Sequence, residues 1–271
     1  MASAGVNART MRRRGWPRGL LAACVPLLFA VACNSTSLAA KAGPNGTVFD
    51  FPGNPTAAQR AADLKVMQRR AAALGGSAEL VGDHLIVKAP GGRDVALRIS
   101  VEGHVGFRPV EAQYPATGPT TPAVTPESQL RPDTAAVMTS YASGQGLATV
   151  YQVGPEGLSG LAIASATADE AQDGTWEVRP VLKAGTAGID RFDQLAAVCA
   201  AAEKVCPTHQ VALSVDAVVL AAPTVQSSDY ARDALSLSGA FTQPEAQALA
   251  AVMGNGELAT PILPHALPAK G

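Results

Sequence analysis

The sequence predicts an α+β chain built from two small α/β sandwich subdomains. Three observations carry this. Strand-like and helix-like patterns alternate in two separate blocks, over 47–111 and 134–264. A Pro- and Thr-rich stretch, 112–133, lies between the blocks. The chain is 271 residues long and 47% hydrophobic, enough for one or two cores. Aromatic residues are only 4%, so those cores must be filled by Ala, Val, Leu and Ile.

Residues 1–32 read as a signal peptide. "MRRRGWPRG" is a basic leader, and "LLAACVPLLFAVA" is an apolar run too short to span a bilayer comfortably. It ends in "AVAC", which resembles a bacterial lipobox with Cys33 as the site of lipid attachment. Ala30 stands where the lipobox usually has Leu, and ordinary cleavage after "AVA" is the alternative, giving a secreted protein. The polar stretch "NSTSLAAKAG" favours the lipobox, since 33–46 then serves as a flexible tether to the extracytoplasmic face of the membrane. Residues 1–32 hold five Arg and no acid; the remainder carries 16 basic against 22 acidic residues, a balance of −6. That sign argues against nucleic acid as a partner. No later run of eighteen apolar residues occurs, so the mature chain is expected to be soluble apart from its lipid.

In the first block, "TVFDF" is a strand and "NPTAAQRAADLKVMQRRAAALGG" a helix. Asn54 is its expected cap, Pro55 its first residue and Gly75 its end. Ala57, Ala61, Leu64, Ala71 and Leu74 form the expected buried stripe, leaving Arg60, Lys65, Arg69 and Arg70 on a solvated face. "SAELV", "GD" and "HLIVKAP" read as a hairpin, and "HVGFRPV" as another strand. Strand, helix, strand, strand suggests a ferredoxin-like base. The five prolines of the following segment favour an extended, semi-rigid linker.

In the second block, "WEVRPVL" is a strand. "IDRFDQLAAVCAAAEKV" is a helix with Leu195, Val198, Ala202 and Val205 along one side. "QVALSVDAVVLAAPTV" holds two strands meeting near Asp216, and "DALSLSG" a further one. The last helix has both ends marked: Thr242 and Glu245 form a capping box, and Gly254 is placed to end it. Its expected stripe is Ala246, Leu249, Ala250 and Met253. Residues 265–271 read as a disordered tail.

Cys199 and Cys206 are the remaining cysteines. In one continuous helix their Cα atoms would lie about 10 Å apart, beyond the reach of a disulfide. A bridge requires the helix to end before Cys206, which Pro207 favours. Two independent small hydrophobes are the other reading. His84, His104, His209 and His265 are scattered without ligand spacing, so no metal or cofactor is expected. "GLSGL" fails the nucleophile-elbow pattern, and "APGGRD" reads as a hairpin tip with neither a following helix nor Lys-Ser/Thr. Asp216 and Glu245 are isolated acids. No catalytic residues assemble, and the chain is not expected to be an enzyme.

"VALSVDAVVLAAPTV", a spacer, then "LSLSGAFTQPEAQALAAVMGNGEL" resembles the head of the first large periplasmic domain of SecD. Asp216, Pro223, Gly239, Phe241, Thr242, Glu245, Ala246 and Leu249 match the family's pattern. "YQVGPEGLSGLAIASATA" with "WEVRPVL" resembles the start of that head, and "RRAAALGG", "GDHLIVKAPG" and "FRPV" resemble its base. Ala217 departs from the family's Gly after the Asp, and "GELATP" from its usual Gly-x-Leu-Pro. The resemblance implies a part in protein export, but SecD's transmembrane helices have no counterpart here, so ion coupling is not expected. Together with the lipobox at Cys33, it leads to the expectation of a non-catalytic, membrane-anchored lipoprotein whose partner is protein: an exported polypeptide or a translocon component. An envelope lipoprotein that reuses the fold for a task unrelated to secretion is the alternative.

Overall fold

The computed structural model describes residues 38, 40–140 and 149–266. Cys33 and the signal segment lie outside the described residues. Leu38 and residues 40–42 are helical, and Leu38 and Ala42 pack on Val48 and Ile86. The expected free tether therefore ends before the first strand.

In chain order the elements are β1 (Gly46–Asp50), α1 (Ala57–Ala73), β2 (Ser77–Val81), β3 (His84–Lys88), α2 (Arg93–Ile99) and β4 (Val105–Pro115). β5 (Ala136–Ser140), β6 (Thr149–Val153), β7 (Leu158–Ser159), β8 (Ile163–Glu170), β9 (Trp176–Leu182) and α3 (Ile189–Ala200) follow. The chain continues through β10 (Val211–Val215), β11 (Val218–Ala221), β12 (Leu237–Phe241), α4 (Gln243–Asn255) and β13 (Leu263–Pro264). The chain is α+β, as its sequence predicts, but the strands are shared out differently.

The base sheet has the order β13-β1-β3-β2. Its β2–β3 hairpin turns through Gly82, at φ +63°, as "GD" predicts. β4 leaves this sheet, and β13, expected in the second unit, takes the edge beside β1. β4, β10, β11, β5 and β6 instead close into a ring, with β7 alongside β4. The interior of this small barrel is Val110, Ala136, Met138, Val153, Ala212 and Val219, one or two residues from each strand. β12, β9 and β8 make a third sheet.

The barrel removes the expected boundary at 111–112, because β4 runs straight through it. The Pro/Thr-rich segment lies along the barrel rather than free: Thr125 N–H donates to Val137 O at 2.9 Å, and Leu130 packs on the barrel core. Prolines rule out a ladder there, but not docking.

α4 lies between the two halves, on β8 and β9 to one side and on α1 and α2 to the other. Hence Ala246, Ala248, Ala250, Ala251, Val252 and Met253 are all buried, a wider face than one stripe, while Leu249 is half-buried. Thr242 and Glu245 form the predicted capping box. Gly254 does not end the helix; a Cβ there would meet the Ala166 backbone N of β8 at 2.9 Å, so glycine permits the close approach. Gly256, at φ +90°, is the cap.

α1 also differs from its expected form. Thr56, not Asn54, is the cap, in a capping box with Gln59. The buried face is Asp63, Val66, Met67, Arg70 and Ala71, spaced i, i+3, i+4, i+7, i+8. Ala57 and Ala61 are exposed. The true stripe includes two charges, and apolar counting passed over it.

Asp63 is satisfied, and Arg70 is satisfied except at Nε, which is buried with no hydrogen-bond partner among the described residues. Arg70 has no exposed surface; its Nη1 donates to Ile99 O at 2.8 Å and Val101 O at 2.6 Å. Its Nη2 donates to Glu102 O at 2.8 Å and Gly256 O at 2.5 Å. Burial lowers its pKa to about 10, against the pull of Asp216 and Glu257, so it stays charged at neutral pH. Asp63, equally buried, accepts from Ala259 N at 2.6 Å and from Thr260 Oγ1. One face of α1 thus satisfies the end of α2 and the end of α4 together.

α3 ends at Ala200, so the expected stripe stops short: Phe192, Leu195, Ala196 and Cys199 are buried, Ala202 turns at φ +52°, and Val205 is 50% exposed. With the helix ended, Cys199 and Cys206 lie with Cα atoms 4.9 Å apart, within disulfide reach.

Arg70→Met is expected to lower the unfolding free energy by about 3–5 kcal/mol, since buried carbonyls lose a charged donor. Arg69→Met, which removes one exposed bond to Asn255 O, is expected to cost under about 1 kcal/mol. Urea titration of both variants checks the difference.

Candidate functional site

Two concave features lie where base, barrel and head meet. The first is an apolar groove of about 210 Å³. Val101, Val215, Leu220, Phe241, Leu249 and Val252 line it, drawn from the loop after α2, the β10–β11 turn, β12 and α4. The ion pair of Arg98 with Glu245, at 3.1 Å, lies beside it. Val101 is 40% exposed and Leu220 and Leu249 are half-buried, so apolar surface is open to an occupant. The space suits one or two large apolar side chains and is smaller than the roughly 300 Å³ at which small-molecule sites begin.

The second is a charged cleft of about 410 Å³ lined by Glu102, His104, Glu127, Asp216 and Glu257, with Arg108 at its back. Asp216 turns β10 into β11 at φ +52°, a conformation that Asp tolerates. Ala217 keeps a negative φ, so the missing glycine costs the turn nothing. The Asp216 carboxylate accepts from Gly103 N at 2.9 Å and His104 N at 2.8 Å, tying the turn to the start of β4. Gly103 sits at φ +80°, and a Cβ there would strike Arg70 and Val252. Burial raises the Asp216 carboxyl above its ordinary range despite those two amides. Burial, then the charge of Asp216, does the same to Glu102.

His104 bridges two carboxylates. Nε2 lies 2.9 Å from Glu156 Oε2 and Nδ1 lies 3.0 Å from Glu257 Oε2. These hydrogen bonds, Glu156 first, raise its pKa to about 10. Both nitrogens then donate from an imidazolium. Glu156 is buried and also faces Arg108, 3.8 Å away. Arg108 donates to Thr134 O at 2.8 Å and to Gly154 O at 3.1 Å. His104, Arg108, Asp216 and Glu257 are each held by another group, whereas the Glu102 and Glu127 side chains have no hydrogen-bond or ion-pair partner among the described residues. Asp216 in particular is a structural acceptor.

Glu245 is no isolated acid, since it completes the cap of α4 and pairs with Arg98. Cys199 and Cys206 lie close together at the end of α3, outside both concave linings. "APGGRD" is followed by a helix after all, α2, of only seven residues. His84 and His265, read as scattered, come together at Asp50, while His104 stands apart in the cleft. Arg70, Asp63 and Glu156 were missed. For the α1 pair the signal was present, because positions 63, 66, 67, 70 and 71 keep helical spacing around Met67.

The model of the SecDF P1 head subdomain matches residues 136–260, from β5 to the residues bound by Asp63. This segment, under half of the chain, is similar to a SecDF P1 head subdomain. The head so defined contains the barrel strands β5, β6, β10 and β11, the third sheet and α4. Solved SecDF structures share the fold beyond the head. SecDF in its super-membrane-facing form is similar over 81% of this chain, at 19% identity and a TM-score of 0.54. The similarity spans 29% of that SecDF chain, so this chain covers under a third of it. A second structure, of SecDF as a membrane component that enhances protein export, is similar over 83% of this chain and 100% of the matched one, at 19% identity and a TM-score of 0.52. No curated protein matches the chain. Among the described residues, no helix is long and apolar enough to cross a membrane.

His104 favours the folded state in its charged form. Its folded pKa lies above the ordinary value of about 6.5, so this contribution is full below pH ~6.5 and is lost as pH rises through about 10. NMR of the ring nitrogens is expected to show His104 still protonated at pH 8, with Glu257→Gln lowering its pKa; a neutral ring at pH 8 would contradict the bridge.

Proposed function

We propose that this protein is an extracytoplasmic, polypeptide-binding lipoprotein that serves protein export. One observation supports the reading: a segment that matches the SecDF head model lies in a chain whose fold is similar to a solved SecDF structure over 83% of its length. In this reading Cys33 carries the lipid that holds the domain at the membrane, and the Cys199–Cys206 bridge forms once the chain reaches an oxidising compartment.

The binding surface in this reading is the apolar groove. An unfolded exported chain presents isolated large apolar side chains, and the groove offers a pocket of that size beside one cation and one anion. Strand addition is the competing mode. The head sheet has two edges, β12 and β8; β8 ends in Asp169 and Glu170, and charges on an edge discourage added strands. The groove has no such obstacle.

A photoreactive residue at Leu249, in cells synthesising exported proteins, is expected to crosslink to chains in transit several-fold more than one at exposed Glu203. Equal yields at the two positions would sink the reading.

A further inference from the structure

We propose that Asp50, His84 and His265 form a binding site for a borderline divalent metal ion, zinc foremost, that fastens the chain's last strand to its first. One ligand atom from each residue lies within 4.8 Å of the other two. His84 Nδ1 is 2.6 Å from Asp50 Oδ1. His265 Nδ1 is 2.8 Å from Asp50 Oδ2. The two rings meet edge to face, with centroids 5.0 Å apart.

The base sheet builds this cluster. Asp50 ends β1 and His84 begins β3, and the two are paired in register. Leu263 of β13 pairs with Asp50 on its other side, and His265 N–H donates to Val48 O at 2.8 Å, extending that pairing. Three adjacent strands therefore deliver three ligands to one spot.

The donor set selects the ion. Two imidazoles and one carboxylate suit zinc and similar transition metals, whereas magnesium and calcium prefer oxygen alone. Zinc bonds of ~2.0–2.1 Å in a tetrahedron put ligand atoms about 3.3 Å apart. The contacts to Asp50 need to open by about 0.7 Å at His84 and about 0.5 Å at His265 to reach that spacing. The Asp50 side chain is 43% exposed, so it can withdraw and leave a fourth position to water. The bound ion would lock β13 against β1, and with it the segment that follows α4.

The test uses the full chain, free of any histidine tag, and zinc alone. Wild-type protein is expected to bind one zinc by calorimetry, with affinity reduced at least tenfold in His84→Gln, His265→Gln and Asp50→Asn. His104→Gln, in the separate cleft, is expected to bind as wild type does. A second measurement needs no variant: zinc is expected to shield His84 and His265 from diethylpyrocarbonate, with the modified positions read by mass spectrometry. Absence of binding, binding unchanged in all three variants, or modification of both histidines unaffected by zinc would overturn the proposal.

Discussion

The face of α1 that carries Asp63 and Arg70 governs how the two halves of this chain meet. Burying a guanidinium is costly unless its donors are satisfied, and here four backbone carbonyls accept from its two Nη groups, leaving Nε without a partner among the described residues. Those carbonyls belong to the end of α2, the loop leading to β4, and the cap of α4. Seven residues earlier, Asp63 satisfies Ala259 and Thr260 just beyond that cap. The loop whose path Arg70 fixes carries Val101 into the groove and Glu102 and His104 into the cleft. Both concave features thus depend on one helix of the base.

The remaining architecture reinforces the same joint. β4 starts beside the base, pairs with β10 and then with β6, so the barrel couples the base to the head through continuous backbone. β13 returns the chain to the base sheet after α4. The small residues of α4, with Gly254 against Ala166, let it sit tightly between the third sheet and the base helices. A groove lined from both halves keeps its shape only while the halves stay fixed. That is the link from packing to the binding proposed for it.

Local signals were legible in the sequence, and long-range ones were not. The capping box of Thr242 and Glu245, the "GD" hairpin and the end of α3 before Cys206 depend on neighbours in sequence, and the structure has all three. The family pattern around Asp216 led to the head, although the role of Asp216 was visible only once Gly103 and His104 were placed. The barrel escaped because its ring closes through β4–β10, a pairing of segments about a hundred residues apart. Asp50 and His265 are separated by 215 residues, so ligand spacing had nothing to report. Arg70 was misread for a different reason. Its position fits the buried stripe, but its charge assigns it to solvent unless the waiting carbonyls are known.

The central claim is that base, barrel and head open as one cooperative unit held by the α1 clamp. Native-state hydrogen exchange measures this most directly. The slowest amides of α1, of β9 and α4 in the head, and of the barrel strands are expected to exchange through a single opening of common free energy and common denaturant dependence. Head amides that exchange through a lower-energy opening, while α1 and the base sheet stay protected, would contradict the account.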